Sequence, residues 1–470
     1  MSSHPKRPHH NASTPKTNAP LSGNNSSERI IPSWPWLAAA FLLIITVLAY
    51  LPAIRTGGFI WDDDSYVTGN PLLRSLQGLH HIWARMGVAR GGTHQYYPLT
   101  FSVLWTEYHL FQLQPLGYHL LNVLLHALNA VLVWRILRRL CVPGALMAAA
   151  VFALHPVCVE SVAWITELKN VLSGLFYLTS LLCYLRFLDV AGPESQPAGP
   201  PSSRNVVSNT APAEVSNRHW PFYSLSIFLF LCALASKTVT ASLPAVILLI
   251  IWWKTGRISW KNLLPTVPMF ILGAGSGLLT SHLEKTLGAS GYEWALTPVE
   301  HLLLAGRILW FYAGKLIWPG ELTFIYPRWE VSQAIWWQYL FPLAAIALIA
   351  ALWMARKKMG RGPLTATLFF CGTLVPVLGF FNVYPMRFSY VADHFQYLAS
   401  LGPIVLLVAG AARIRLRPDG SLTKPAISAA GMILLTLGWL TWRQSGIYKN
   451  ADQIWIDTIK KNPSCWMAHN

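Results

Sequence analysis

Charged side chains are scarce in this chain: Asp, Glu, Lys and Arg make up 12% of its 470 residues, whereas 53% are hydrophobic. Carboxylates are the rarer sign, with 19 acidic residues against 36 Lys and Arg. The six cysteines show no CxxC spacing, which argues against a zinc site or a disulfide framework. The alternating ten-residue pattern of an outer-membrane barrel is also missing. The scarcity of charged residues in so hydrophobic a chain excludes an ordinary soluble domain.

The sequence consists largely of long apolar runs. Runs of about 17–25 residues recur along nearly the whole chain, the length a helix needs to cross about 30 Å of hydrocarbon. Helices satisfy their own backbone groups in lipid, so we expect an all-α integral membrane protein. We predict about eleven spans, at residues 34–53, 116–137, 143–163, 170–188, 220–235, 239–253, 263–280, 334–355, 364–381, 397–412 and 426–442. Outer-face surface or re-entrant helices are expected at 71–86, 97–112 and 299–318.

The net charge of +17 does not indicate a nucleic-acid partner, because the basic residues are spread over clusters that each follow a span. This positive-inside pattern predicts a cytoplasmic N-terminus and an outer C-terminus. The outer side would be the periplasm of a bacterial inner membrane, or the lumen in a eukaryote. The clusters are Arg135, Arg138 and Arg139; Lys254, Arg257 and Lys261; Arg356, Lys357, Lys358 and Arg361; and Arg413, Arg415 and Arg417.

The predicted membrane domain covers residues 34–442. Three segments are not expected to cross the membrane: two flank this domain and one lies within it. Residues 1–33 are expected to form a disordered cytoplasmic tail, and the Pro-, Ser- and Asn-rich residues 191–219 a disordered cytoplasmic linker. Residues 443–470 resemble the opening of a tetratricopeptide repeat, a helical hairpin of about 34 residues. One partial repeat cannot bury its own apolar face, so either the chain is cut here or the segment packs against the membrane domain.

Three consecutive aspartates follow the first predicted span, in the sequence FIWDDDSY. Adjacent carboxylates repel each other and raise one pKa, which suits a general base near neutral pH, so Asp62 and Asp63 are the catalytic candidates. The same pair is the candidate site for a divalent metal ion, Mg²⁺ or Mn²⁺, although no cofactor is certain. A loop turn or a helix N-cap is the alternative interpretation.

The loop between the third and fourth predicted spans carries a second polar set. His155 and Glu160 would lie at the depth of a lipid head group and are candidates for substrate binding. Lys169 is a candidate phosphate contact, because its ammonium is a compact positive charge. Ordinary helix-end polarity with a snorkelling lysine is the alternative.

Two later outer loops add further candidates. Lys237 stands in a tight turn after the fifth predicted span, and Arg387 precedes the tenth; both would suit the phosphate of an anionic lipid. Asp393 and His394 are candidates for substrate binding, or for pairing with each other to hold the loop.

A polar stripe runs along the second predicted span: His119, Asn122, His126 and Asn129. Their spacing of three, four and three residues places them on one helical face. Polar side chains within a span usually bond to neighbouring helices, so we expect this stripe to hold the bundle together. His119 lies nearest the outer boundary and is also a candidate for substrate binding.

Ionisable groups are thus expected in the outer loops, whereas the inner loops carry little beyond the charge that sets orientation. An enzyme acting at the outer face predicts this asymmetry, while a carrier would place ionisable residues at mid-membrane. A flippase or permease for lipid-linked sugars and a non-catalytic scaffold presenting tetratricopeptide repeats are the alternatives.

Eight segments, in order, resemble the membrane half of the transmembrane-and-tetratricopeptide-repeat proteins, which act in animals as protein O-mannosyltransferases and have bacterial relatives. The segments are FIWDDDSY, NPLLRSL, YYPLTF, LGYHLLNVLLHALNA, ALHPVCVESVAWITELKNVLS, SKTVTASLP, FIYPRW and VADHFQYLASLG. The resemblance implies a C-type glycosyltransferase (GT-C) bundle and a polyprenyl-phosphate sugar donor, most simply a mannose donor. It also implies an inverting transfer to a hydroxyl of an acceptor protein or glycan.

The resemblance places the catalytic acidic pair on Asp62 and Asp63, and the family's His-Pro motif and following Glu on His155, Pro156 and Glu160. Tyr97 of YYPLTF is expected among the substrate-binding residues. Two positions depart from the family pattern. Asp393 is followed by His394 where known members have Arg, and Lys237 is followed by Thr238 where they have Glu.

Overall fold

The computed structural model describes residues 35–84, 96–188, 219–286, 296–381, 383–415 and 423–469. The tail predicted at 1–33 and nearly all of the linker predicted at 191–219 lie outside these residues. The regular structure within the described ranges is helical.

The helices of the first half are α1 (Pro35–Ala49), α2 (Leu51–Thr56), α3 (Leu76–Ala84), α4 (Pro98–Phe111), α5 (Pro115–Arg139), α6 (Ala145–Leu154), α7 (Val159–Ala163), α8 (Leu168–Phe187) and α9 (Trp220–Ser236). Those of the second half are α10 (Leu243–Thr255), α11 (Trp260–Leu263), α12 (Val267–Thr286), α13 (Pro298–Ile317), α14 (Leu340–Met359), α15 (Gly362–Leu374), α16 (Leu401–Arg415), α17 (Lys424–Ser445), α18 (Ala451–Lys461) and α19 (Trp466–His469).

Every predicted span coincides with helical structure. Six stretches are long and apolar enough to cross a membrane, and α6 with the helical residues Pro156–Ala163 makes a seventh if that pair, bent by 55°, counts as one span. The helices α1, α9, α15 and α16 are apolar but shorter. The predicted class, an all-α integral membrane protein, is confirmed, while the count of eleven crossings stays a prediction.

The three expected surface or re-entrant segments are also helical, as α3, α4 and α13. Thr297 and Glu300 begin α13 with a capping box, in which each side chain accepts from the other residue's backbone N–H. With Arg307 and Lys315 along its length, α13 is not among the helices apolar enough to span.

The polar stripe of α5 bonds to backbone carbonyls of neighbouring segments, two of them at helix breaks (Ala153 and Trp164) and one within α8 (Val171). Asn122 donates to the carbonyl of Trp164 at 3.2 Å, His126 contacts that of Ala153 at 3.2 Å, and Asn129 donates to that of Val171 at 2.8 Å. A carbonyl freed by a helix break inside a membrane needs such a donor. The predicted structural role of the stripe is confirmed for these three residues.

The C-terminal helices α18 and α19 pack against the membrane domain, as one of the two alternatives for this segment predicts. Lys461 donates to the carbonyl of Leu322 at 2.7 Å, and Asn462 donates to that of Ile325 at 3.1 Å. The ring of Trp455 lies edge-on to that of Trp61, with centroids 6.1 Å apart. The tetratricopeptide assignment itself stays a prediction.

The bundle has two chemically different ends. The loop end holds the segments 57–70, 155–170, 237–242 and 384–397. The basic end, at the opposite ends of the helices, holds those arginines and lysines of the four clusters that the structure describes. For example, α5 runs from Pro115 at the loop end to Arg139 at the basic end. The candidate site residues lie at the loop end.

Candidate active site

The first loop is held in place by Asp63, which is fully buried. One of its carboxylate oxygens accepts from the backbone N–H of Ile60 at 2.8 Å. The other accepts from the N–H of Thr166 at 2.8 Å and from the Thr166 hydroxyl. Asp63 therefore ties the first loop to the loop that precedes α8.

Burial raises the pKa of Asp63 to about 7, and its hydrogen bonds to Thr166 and Ile60 oppose that rise. The neighbouring charge of Asp62 adds to the rise only as the smallest of these causes. Charge repulsion within the aspartate cluster, the cause expected from the sequence, is thus secondary to desolvation.

Asp62 differs from its neighbour because its side chain is only partly buried. Its carboxylate interacts electrostatically with the ammonium of Lys169, while its backbone carbonyl accepts from Ser65 and Tyr66. The preceding residue, Trp61, has a backbone φ of 37°, which a bulky side chain rarely adopts. Such strain persists only where surrounding contacts impose it, at a cost of order 1–3 kcal/mol.

Aromatic rings supply those contacts. The ring of Trp61 stacks on that of Trp164, with centroids 5.8 Å apart and planes 13° apart. It also lies edge-on to Phe324, Phe388 and Trp455, at centroid distances of 5.4, 6.1 and 6.1 Å. Four segments distant in sequence thus fix the backbone immediately before Asp62.

Glu167 is the centre of the ionic cluster, and it is fully buried. The ammonium of Lys169 lies 2.9 Å from one carboxylate oxygen, and that of Lys237 lies 3.3 Å from the other. Asn170 donates to Glu167 at 2.6 Å and accepts from Lys237 at 2.6 Å. The structure therefore brings together the two lysines that the sequence predicts as phosphate contacts.

His394 joins this cluster to Glu160. The backbone N–H and the ring Nδ1 of His394 each lie 3.0 Å from a different oxygen of Glu160, and its Nε2 lies 3.9 Å from Glu167. Glu160 and His394 are both nearly fully buried. The pair prevents the loop before α16 from moving away from the loop before α8.

Asp393 does not pair with its neighbour His394, which was one of the two expectations from the sequence. Both of its oxygens lie 3.1 Å from the hydroxyl of Tyr326. Burial first, and then the negative charge of Glu160, raise the pKa of Asp393 well above its ordinary value. Burial and the nearby carboxylate of Glu160 therefore both favour the protonated form of Asp393.

The remaining predicted residues lie around this cluster. Arg387 is exposed on the turn Tyr384–Arg387, whereas Lys169 and Lys237 are largely buried. Arg387 therefore differs from the two lysines in being exposed to solvent. Tyr97 is buried at the start of α4, one turn before Thr100, which donates to the carbonyl of Ser236 at 3.0 Å.

Two predicted histidines contact backbone. His155 receives the N–H of Val157 on Nδ1 at 3.4 Å, and its Nε2 lies 3.0 Å from the carbonyl of Leu316. Nδ1 of His155 therefore stabilises the break between α6 and α7, and Nε2 connects that break to the end of α13. His119 is fully buried against Gly57, where an added Cβ would overlap the imidazole.

Sequence analysis did not select Glu167, Asn170, Thr166 or Tyr326 as site residues. Glu167 and Asn170 stand close to Lys169 in the segment ELKN, and this proximity in sequence is the signal that could have identified them as site residues. The role of Thr166 depends on Asp63, which lies 103 positions earlier. Within the described residues, no group of three or more His, Cys, Asp or Glu could hold a metal ion; the Mg²⁺ or Mn²⁺ site at Asp62 and Asp63 stays a prediction.

Fold and site together define a polytopic helical membrane protein with a buried ionic cluster at one end. No family model matches the chain. It is 26% identical over 391 residues to the protein O-mannosyl-transferase Tmtc1 of Drosophila melanogaster, covering 78% of this chain and 40% of that protein. It is 23% identical over 485 residues to human TMTC1, covering 92% of this chain and 52% of that protein.

A shorter match, to tmtc2 of Xenopus laevis, reaches 33% identity over 159 residues, or 32% of this chain and 19% of that protein. The chain is thus similar in sequence to the TMTC O-mannosyltransferases along most of its length, as the eight motifs predict. It spans about half, or less, of the length of these curated relatives.

Two solved structures are similar over most of the chain. The mycobacterial arabinofuranosyltransferase AftD matches 90% of this chain and 27% of its own, with 16% identity and a TM-score of 0.42. ArnT from Cupriavidus metallidurans, bound to undecaprenyl phosphate, matches 93% of this chain and 77% of its own, with 14% identity and a TM-score of 0.40.

Proposed function

We propose that the chain is a membrane glycosyltransferase that transfers a sugar, most simply mannose, from a polyprenyl phosphate to a hydroxyl acceptor. The acceptor would be a protein Ser or Thr, or a glycan. The observation that carries the proposal is the placement of a partly exposed carboxylate, Asp62, in electrostatic interaction with Lys169, one of the two lysines gathered around Glu167. The sequence similarity to O-mannosyltransferases supports the choice of sugar.

Lys169 and Lys237 would bind the phosphate of the donor. A lysine ammonium has three N–H donors. Its contact with Glu167 takes up one donor of Lys169, and contacts with Glu167 and Asn170 take up two of Lys237. Each lysine can thus contact a phosphate oxygen while Glu167 holds both in place. Positive charge fixed where the leaving phosphate develops its negative charge is a large catalytic contribution.

Asp62 would act as the general base. It takes the proton from the acceptor hydroxyl as the hydroxyl oxygen bonds to the anomeric carbon. The bond between that carbon and the phosphate oxygen breaks, and the polyprenyl phosphate leaves with the bonding electrons. One such displacement inverts the anomeric configuration. Asp63 would serve as a positioning residue, because both its oxygens already accept hydrogen bonds.

The loop end would face the periplasm or the lumen. The basic clusters at the other end support this orientation, since positive residues favour the cytoplasmic side. His155, Glu160 and His394 would shape the site by holding the surrounding loops together. Asp393 would be available to hydrogen-bond a sugar hydroxyl together with Tyr326.

The decisive experiment compares Asp62→Asn with Asp64→Asn, since Asp64 is the exposed neighbour in the same cluster. Purified protein is incubated with radiolabelled polyprenyl-phosphate mannose and a Ser/Thr-rich acceptor peptide. We expect Asp62→Asn to lower the transfer rate by about 10²–10⁴-fold, the usual contribution of a general base. Asp64→Asn should stay near the wild-type rate.

Wild-type turnover by Asp62→Asn would refute the assignment of the base. Absence of transfer by the wild type, together with movement of labelled donor across liposome membranes, would instead identify a flippase.

A further inference from the structure

A cavity lies between α5, α8, α10, α15 and α16, away from the ionic cluster. Its volume is about 200 Å³. Along α16 its lining runs from Leu401 to Arg413, about 18 Å at 1.5 Å per residue. Cys141, Gly410 and Arg413, which line it, are exposed. The cavity therefore opens at the basic end of the bundle.

The lining is almost wholly apolar. It includes Val133, Ile136, Leu137, Leu140, Leu178, Leu181, Ile250, Phe369, Val405 and Leu406. Empty apolar cavities of about 150 Å³ stay dry and take up small hydrocarbons, so this space favours a hydrocarbon chain over water. In a bilayer, acyl chains are the abundant hydrocarbon.

Positive charge surrounds the opening. Arg413 lines the cavity itself. The ammonium of Lys254 lies 4.2 Å from the ring centroid of Trp253, a lining residue, and donates to the carbonyl of Leu140, another lining residue. Arg361, adjacent to the lining residue Gly362, packs its guanidinium over Trp252 with the ring centroid 6.0 Å away. None of the described lining residues is acidic.

We propose that this cavity binds one acyl chain of an anionic glycerophospholipid from the leaflet at the basic end. The phosphate of the lipid would lie between Arg413 and Lys254, and the chain would extend along α16. Basic pockets between membrane helices bind anionic head groups in this way. The site is separate from the donor lysines, since Lys169 lies near the start of α8, about 12 Å along the helix from Tyr177, the nearest lining residue of α8.

Binding is measured by native mass spectrometry of the purified, delipidated chain, titrated with phosphatidylglycerol or with phosphatidylcholine of the same acyl chains. We expect phosphatidylglycerol to bind at least about fivefold more tightly, which corresponds to about 1 kcal/mol from a basic residue near the lipid. Arg413→Gln should remove most of this preference. The matched control Arg257→Gln, an exposed arginine of the same end that does not line the cavity, should retain it.

Ala409→Phe and Val405→Phe each add volume to a lining position and should weaken binding of both lipids. The folding of these two variants is checked by thermal unfolding. The Arg413→Gln and Arg257→Gln variants change exposed side chains, so they do not require the core to repack. Equal affinity for the two lipids, or equal effects of Arg413→Gln and Arg257→Gln, would overturn the proposal. Displacement of phosphatidylglycerol from the wild type by a polyprenyl phosphate would also overturn it, by assigning the cavity to the donor chain.

Discussion

The two ends of the bundle hold their charges in opposite ways. At the loop end, Glu160, Glu167, Lys169 and His394 are buried and contact one another within 4 Å, so each depends on the others. At the basic end, side chains such as Arg257 and Lys358 are exposed and positive charge prevails. A buried ionic network requires exact partners, because an unpaired charge there is costly, whereas exposed charges tolerate change. Function that depends on geometry is therefore expected at the loop end.

Replacing Glu167 with Gln should have the largest effect on stability. The change leaves Lys169 and Lys237 buried without their shared carboxylate, and breaking a buried pair in this way costs about 3–5 kcal/mol. The free energy of unfolding is measured in detergent by chemical denaturation. Glu330→Gln, at an exposed glutamate, is the control and should change little. Similar values for the two variants would remove the contrast between buried and exposed charge.

The pH dependence of stability tests the role of burial at Asp63. Its pKa rises from 3.8 to about 7 on folding, so its contribution is complete below pH 3.8 and is lost as the pH rises through about 7. Between pH 5 and pH 8 the wild type should lose about 2–3 kcal/mol relative to Asp63→Asn, which does not titrate, at about 1.4 kcal/mol per pH unit. Denaturation of both proteins at the two pH values measures the difference. If the stability difference between the two proteins does not change with pH, the hydrogen bonds to Asp63 offset the effect of desolvation on its pKa.

Replacing Trp455 with Ala tests whether the C-terminal helices support the loop end. Loss of its contacts with Trp61 and Phe324 should cost about 1–3 kcal/mol, because aromatic pairs contribute about 0.5–1.5 kcal/mol each beyond their buried area. The transfer rate should fall as well, since Trp61 directly precedes Asp62. Ile456→Ala, at the exposed neighbour on the same helix, is the matched control. If both variants behave alike, α18 contributes nothing to the site.

The smallest effect is expected at the basic end. Arg356 is partly exposed, with its guanidinium 4.0 Å from the ring centroid of Trp353, and cation–π contacts outside the core contribute about 0.5–1 kcal/mol. Arg356→Gln should therefore lower the free energy of unfolding by no more than about 1 kcal/mol, with transfer activity unchanged. Denaturation and the transfer assay together check this. A loss as large as that of Glu167→Gln would show that the basic end is also a coupled network.

Features with a local cause could be predicted from the sequence. The predicted spans coincide with helices because apolar run length is a property of neighbouring residues, and the stripe of α5 follows from its helical spacing. The convergence of Lys169 and Lys237 was also expected, from their shared place at one end of the bundle. The different burial of Asp62 and Asp63 could not be predicted, since it depends on where Thr166 folds. The central position of Glu167 likewise depends on Lys237, 70 positions later.

The stripe on α5 has a consequence for the order in which the protein assembles in the membrane. Its side chains bond to carbonyls of residues 153–171, and to the hydroxyl of Tyr397, all of which are synthesised after α5. Until those segments arrive, α5 carries polar groups without their native partners into lipid. We therefore expect a nascent chain ending shortly after α5 to insert poorly, and one extending past α8 to insert well. Insertion assays on truncated chains would detect that difference.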